Sequence, residues 1–292
     1  MVLMYKRLIA LSAAAAAIFT SCASGKKNSS SDGKSESAET ATYAADGDLT
    51  ATFLDVGKAD AIVIQTGGEC AVIDCGEKGD GKKVVKLLEE SGEDTVDHLI
   101  ITHYDRDHVG GASKVIKELD VKNVYAPDYE EDSKEVEKYE DELDDKGITP
   151  QLLTSDVTFT LGEAEFTIFA PKQTDYGPDN DNDFSLVTKV VYRGNSFIFA
   201  GDAMEARLDE VMDIGDCDVL KVAYHGRRLD NTDEFLDAVT PEYAVACTSA
   251  EEFDAKTQQS LASRCIMTYA TCYNGTITML SDGVNISFTT EK

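Results

Sequence analysis

From residue 49 onward the chain alternates short apolar runs with glycine-marked turns. "LTATFLDVG" (49–57) alternates as a strand does, and "DAIVIQTGG" and "CAVIDCG" follow with glycines between them, which predicts a meander of strands. The period then changes. In "GKKVVKLLEES" (81–91) the apolar residues fall at helical spacing, and Gly92 stands where a helix would stop. "VDHLIIT" predicts a buried strand, "GASKVIKEL" a helix after Gly110-Gly111, and "VKNVYAPD" another strand. "SKEVEKYEDELDDKG" (133–147) predicts a charged surface helix closed by Gly147, its charge a solvated face.

A second half repeats the style. Strands are predicted at "DVTFTLG", "AEFTIFAP", "SLVTKVVY" and "NSFIFAGD", then a helix at "AMEARLDEVMD" and a strand at "CDVLKVAYH". A helix "TDEFLDAV", a strand "EYAVACTS", a helix "KTQQSLAS" and strands around 266–288 complete it. Each half is β-rich first and then alternates strand with helix. Two sheets packed face to face with helices outside would bury these strands. No Pro-rich or Ser-rich linker interrupts 49–292, so one domain is expected there.

The first 48 residues have a different character. Lys6 and Arg7 precede the apolar run "LIALSAAAAAIFT" (8–20), which is too short to span a membrane comfortably. "FTSC" then resembles a bacterial lipobox. That likeness implies a signal peptide over 1–21 and lipidation of Cys22 as the first mature residue. Residues 22–48 have no apolar period and predict a flexible tether. The expected location is extracytoplasmic, with the membrane held as a partner through the lipid on Cys22. The other six cysteines show no CxxC spacing, and Cys247 sits in an apolar run as a small core residue does.

Composition narrows the function classes. With 292 residues, 42% of them apolar and 28% charged, most of the chain has the material for an ordinary globular core. Its formal net charge of -28 repels phosphate backbones and weighs against a broad nonspecific DNA track. An enzyme whose bound ions supply local positive charge remains open.

The candidate chemistry is concentrated in "THYDRDHVGG". His103, Asp105, Asp107 and His108 fall within six positions of a chain that has only four histidines. In an extended segment His103, Asp105 and Asp107 would share a face, and the glycines at 110 and 111 would let the chain turn at His108. Imidazole and carboxylate are ligands of Zn, Mn or Fe. Four such groups exceed what one ion needs from one loop, so two neighbouring ions are expected. His98, inside a strand, reads as a packing residue. His225 in "LKVAYHGRR", Asp202 in "FIFAGD" and Asp74 in "AVIDCG" each end an apolar strand beside a glycine, where loops build sites.

The ordered set "FLDVGKADAIVIQTGG", "VIDCG", "THYDRDHVGG", "DNDFSLV", "FAGD" and "YHG" resembles the metallo-β-lactamase fold superfamily. Within it the pattern is most like the hydrolase domain of ComEC-type competence proteins. The resemblance covers residues 50 to about 285 and implies an αββα sandwich. It implies two divalent ions, Zn or Mn: one held by His103 and Asp105, the other by Asp107, His108 and His225, with Asp202 bridging. Asp105 stands where the superfamily's second histidine would be, as in the ComEC-like branch. Asp74 would steady the ligand loop, and Asn182 and Ser185 occupy the region of the missing third histidine.

The implied mechanism is hydrolysis by a water ionised between the two cations, with Asp107 and His225 as catalytic groups. Phosphoester substrates suit it best, DNA or a small phosphodiester among them; Arg227 and Arg228 beside His225 read equally as phosphate ligands or as a surface pair on a loop. Three positions depart from the family pattern. Lys58-Ala59 stand in place of Gln-Gly, Tyr224 and Arg227 alter the usual "HHGS", and Ala255 replaces a histidine that often precedes a proline. A lost outer ligand would weaken one site or favour harder ions such as Mn. The alternative function is a degenerate, non-catalytic domain that binds a ligand or partner on the same fold.

Overall fold

Alternation within a strand decides which layer each side chain joins. In β2 (Ala61–Thr66), Ile62 and Ile64 point one way and Val63 the other. The structure, a computed structural model, describes residues 47–177 and 180–292. The expected signal peptide, Cys22 and the tether up to residue 46 lie outside the described residues.

Fifteen strands among the described residues form two sheets. The first runs in the order β15 (Ile286–Thr290), β14 (Ile277–Ser281), β1 (Leu49–Phe53), β2, β3 (Glu69–Cys75), β4 (Thr95–Ile100), β5 (Asp120–Pro127), β6 (Gln151–Leu153). The second runs β13 (Met267–Ala270), β12 (Tyr243–Ala246), β11 (Val219–Lys221), β10 (Asn195–Phe199), β9 (Val187–Tyr192), β8 (Ala164–Phe169), β7 (Val157–Leu161). Each sheet is antiparallel at one side and parallel at the other, from β3 to β6 and from β10 to β13. Parallel neighbours need crossovers, and the crossovers carry the helices. α1 (Gly81–Ser91), α2 (Arg106–Val109), α3 (Ala112–Glu118) and α4 (Lys134–Lys146) serve the first sheet. α5 (Glu205–Glu210), α6 (Thr232–Val239) and α7 (Ala255–Ser263) serve the second, and α8 (Thr271–Asn274) follows β13. Among the described residues, no helix is long and apolar enough to cross a membrane.

Three apolar layers hold these elements. Phe53, Ile62, Ile73, Phe166, Val190 and Phe197 fill the space between the sheets. Val84, Leu88, Val115, Tyr139 and Leu143 press the first set of helices onto Val63, Val72 and Leu99. Leu208, Phe235, Leu236 and Leu261 do the same against Ile198 and Leu220. The result is the four-layer αββα sandwich expected from the sequence. α1 ends on the left-handed Gly92 and α4 on Gly147, also as expected. The short β6, α2 and α8 have no counterpart in the sequence pattern, because three or four residues carry too little periodicity to register.

The chemistry-bearing residues collect at the carboxyl ends of the parallel strands: Asp74 in β3, His103 after β4, Asp202 after β10 and His225 after β11. The paired glycines pin the loop there. A Cβ on Gly111 would lie 2.1 Å from the Cys75 carbonyl oxygen and 2.6 Å from Gly81 N. Gly111 N instead donates to Gly76 O at 2.9 Å, so the backbone after α2 rests directly on the β3–α1 turn. Gly111→Ala is therefore expected to cost about 1–3 kcal/mol through overpacking. Urea unfolding at constant m-value measures it, and a loss below about 0.5 kcal/mol would show that the contact yields freely.

Candidate metal centre

The segment 103–108 does not stay extended. β4 ends at Ile100, and Asp105 takes an extended conformation ahead of the single turn α2, which carries Asp107 and His108. Convergence through strand alternation is thus replaced by a helical turn that folds Asp107 and His108 back over the strand end. The helical turn satisfies its own backbone, with Val109 N donating to Asp105 O at 3.0 Å.

Asp74 fixes the first histidine. Its carboxylate accepts from Thr102 N at 2.8 Å, Thr102 Oγ1 at 2.6 Å and His108 Nδ1 at 2.8 Å. With Nδ1 occupied, His108 presents Nε2 to the centre. His225 is fixed in the same way, its Nδ1 lying 2.8 Å from Cys247 O. Tyr224 and His225 adopt left-handed backbone (φ 50° and 53°), as does Asp74 (φ 57°). Conformations costing of order 1–3 kcal/mol in non-glycine residues mark a geometry imposed by the surroundings.

The free donor atoms then face one another. His108 Nε2 lies 3.3 Å from His225 Nε2 and 3.4 Å from Asp202 Oδ1. His225 Nε2 lies 3.0 Å from Asp202 Oδ2 and 3.3 Å from Asp107 Oδ2. All four residues are buried. His103 is buried too, with its Nε2 lacking any hydrogen-bond partner and 3.7 Å from Oδ2 of the half-exposed Asp105. Asp107 Oδ2 and Asp202 Oδ1 are buried without hydrogen-bond partners as well.

A tetrahedral ion with bonds of about 2.0–2.1 Å sets its ligands about 3.3 Å apart. The separations among His108, His225, Asp107 and Asp202 match that edge. Two lone-pair nitrogens at 3.3 Å repel unless a proton or a cation lies between them. The donor set therefore fits a divalent ion. His103, Asp105 and Asp202 offer a second, more open set beside it, with His103, His108 and Asp202 donors within 4.8 Å of one another.

Protons compete for these atoms. Burial alone would lower the pKa of His108 and His225, but Asp202 outweighs it, with Asp74 adding at His108 and Asp107 at His225, so both are raised. Burial alone would raise Asp107 and Asp202, yet the facing histidines pull both down. Raised histidines contribute stability that is complete below their unfolded value near 6.5 and lost as pH rises through the folded value. An incoming ion must displace those protons. Added Zn or Mn is therefore expected to raise the melting temperature more at pH 8 than at pH 6. Equal shifts at both would contradict it.

Several groups took on roles that the sequence reading had not assigned. Asp60, from "DVGKADA", is buried and sits 3.5 Å from His225 Nδ1. Lys221 is fully buried, forms an ion pair with Asp60 and donates to Gly201 O at 2.8 Å, directly before Asp202. A lysine inside the apolar run "DVLKVA" was the available signal, since buried lysines are rare unless paired. Arg207 is buried and donates to Ser185 O at 2.9 Å, bracing the loop that carries Ser185. Ser185 Oγ accepts from Asp202 N at 3.2 Å and lies 3.5 Å from His103 Nδ1, so it reaches the centre. Asn182 does not bond to the cluster; its amide nitrogen contacts Met204 Sδ at 3.7 Å.

The two arginines part company. Arg227 stays at the rim, paired with Glu252 and lying over the Tyr224 ring. Arg228 is held by Asp233 of α6 and by Ser260 of α7 at 2.8 Å, and so ties the two helices together. Ala255 is exposed at the start of α7. His98 stacks on Phe159 at 3.8 Å, the packing role expected for it.

The profile of the Metallo-beta-lactamase superfamily matches residues 54–250. ComE operon protein 3 of Bacillus subtilis (strain 168) is 28% identical over 205 residues, which is 68% of this chain and 26% of that protein. Recombination protein 2 of Haemophilus influenzae is 26% identical over 199 residues, 66% of this chain and 23% of its own length. The chain thus spans about a quarter of these relatives. Among solved structures, the metallo-beta-lactamase fold protein YhfI of Bacillus subtilis superposes with a TM-score of 0.55 at 9% identity, covering 83% of this chain and 100% of that one. A Parabacteroides distasonis protein gives 0.51 at 14% identity, with 76% and 92% covered. At these identities the likeness is one of fold.

Proposed function

The chain belongs to the metallo-beta-lactamase superfamily, and from that premise we propose that it is a metal-dependent hydrolase of phosphoester bonds, a phosphodiesterase or nuclease, tethered to the outer face of a membrane through Cys22. The observation that carries this reading is the set of buried donors from His108, His225, Asp107 and Asp202 spaced 3.0–3.4 Å apart. His103 and Asp105 would hold one ion, Asp107, His108 and His225 the other, with Asp202 between them. Bound there, two divalent ions supply Lewis acidity and an ionised water near neutral pH.

The chain's own residues do the rest. Asp74 and the Cys247 carbonyl keep both imidazoles in one tautomer. Asp107, with Oδ2 3.3 Å from His225 Nε2, would orient the attacking water or shuttle its proton. Charge favours a phosphoester, because ions and Lys58 gather positive charge at one point of an otherwise acidic chain. Relatives named for competence and recombination keep a DNA phosphodiester among the candidates.

The test is metal analysis of the full chain together with turnover of bis(p-nitrophenyl) phosphate. Near two ions per chain and turnover abolished by chelation and restored by Zn or Mn are expected. Failure to take up metal under any loading condition would leave a degenerate binding domain in its place.

A further inference from the structure

Lys58 is a cation that the ligand set does not require. It lies in the loop between β1 and β2, just after the left-handed Gly57 (φ +77°). That loop is fastened to the centre by backbone bonds: Asp60 N donates to Asp107 O at 3.1 Å, and Gly76 N to Asp60 O at 2.7 Å. The ammonium is thereby held over the site, with Nζ 2.7 Å from Asp107 Oδ2 and 31% of the side chain exposed.

Charge counting gives Lys58 its meaning. Five carboxylates, Asp60, Asp74, Asp105, Asp107 and Asp202, make up the centre and its support. Lys221 and two divalent ions together match their negative charge. Asp107 would then serve an ion, whose charge competes with Lys58 for the same carboxylate. Arg227 beside it is already matched by Glu252. Beyond that balance Lys58 is a further positive charge next to the two cations, offset either by the ionised water they would supply or by an anionic ligand in its place. Near Asp105 the charges are acidic, with Glu131, Asp132 and Asp181 lying close to one another and to it.

We propose that Lys58 is a substrate-binding residue that holds a non-bridging oxygen of a tetrahedral oxyanion at the metal centre and so selects anionic substrates. This rests on the phosphoester reading above.

Orthophosphate is the probe. Its affinity for the metal-loaded full-length protein is measured by calorimetry for the wild type, Lys58→Gln and Lys58→Arg, with metal content determined on each sample. Lys58→Gln is expected to weaken phosphate about ten- to hundredfold at unchanged metal content, and Lys58→Arg to retain most of it. With bis(p-nitrophenyl) phosphate the loss in Lys58→Gln should fall mainly on KM. Equal phosphate affinity in wild type and Lys58→Gln overturns the proposal. So does a loss that tracks falling metal content, which would make Lys58 a support for Asp107. If the wild type binds phosphate through Lys58 but turns over no phosphoester, the functional reading fails and the anion site stands.

Discussion

His108→Ala is expected to remove at least one ion per chain and to lower phosphoester turnover by about a thousandfold or more, beyond the loss typical of one transition-state donor. The size follows from how many neighbours use this one side chain. Its Nε2 faces both His225 and Asp202, and its Nδ1 engages Asp74. Truncation removes a ligand and also leaves the fully buried Asp74 carboxylate with only Thr102 as partner. Asp74→Asn should be milder, about 10- to 100-fold in metal affinity, because it disturbs the orientation of the ligand and not its presence. Metal content by emission spectroscopy and turnover of bis(p-nitrophenyl) phosphate check both. A His108→Ala protein that keeps two ions and half its activity would remove His108 from the ligand set.

Lys221→Met is expected to cost about 3–5 kcal/mol, the largest effect on stability of any change considered. Lys221 and Asp60 are each 1% exposed, and Asp60 Oδ1 already lacks a hydrogen-bond partner. Burial alone would lower the lysine pKa, but Asp60 and Asp202 overcome it, so the group stays charged at neutral pH. Because its folded value is raised, its contribution holds below the unfolded value near 10.5 and fades only above it. Losing the ammonium leaves the Asp60 carboxylate buried beside Asp202 with only the more distant His225 and His108 imidazoles near it. Methionine fills the volume, so the penalty is electrostatic and not a cavity. Combining it with Asp60→Asn should recover part of the loss, since the two residues act as one unit. Chemical denaturation of the single and double variants measures this, and a single-variant loss under 1 kcal/mol would show that water reaches the pair.

The departures of the sequence from the family pattern are clearer in three dimensions. Ala255 is exposed at the first turn of α7, while Asp254 beside it caps that helix by accepting from Lys256 N at 2.7 Å. With Ala255 there, the buried donors of His108, His225, Asp107 and Asp202 still face one another. Tyr224 stays at the rim, where its hydroxyl accepts from Arg227 at 2.9 Å. Lys58 is the departure that points into the centre.

Periodicity and turn glycines determined most of the layered architecture. Alternation placed Ile62 and Ile64 on one face of β2 and Val63 on the other, and helical spacing with Gly92 and Gly147 bounded α1 and α4. The ligand types were legible for a similar local reason. Histidine is scarce here, and a histidine or aspartate ending an apolar strand beside a glycine is visible within a few residues. What only the tertiary structure decided involves partners far apart in the chain. Asp60 meets Lys221 across the two sheets, Asp74 reaches His108 from the neighbouring strand, and Arg228 turns to Asp233 and Ser260 instead of the centre. A charged residue in an apolar run announces that it must have a partner, because burying it alone is prohibitive. Which partner it has depends on the packing of strands that local pattern does not encode.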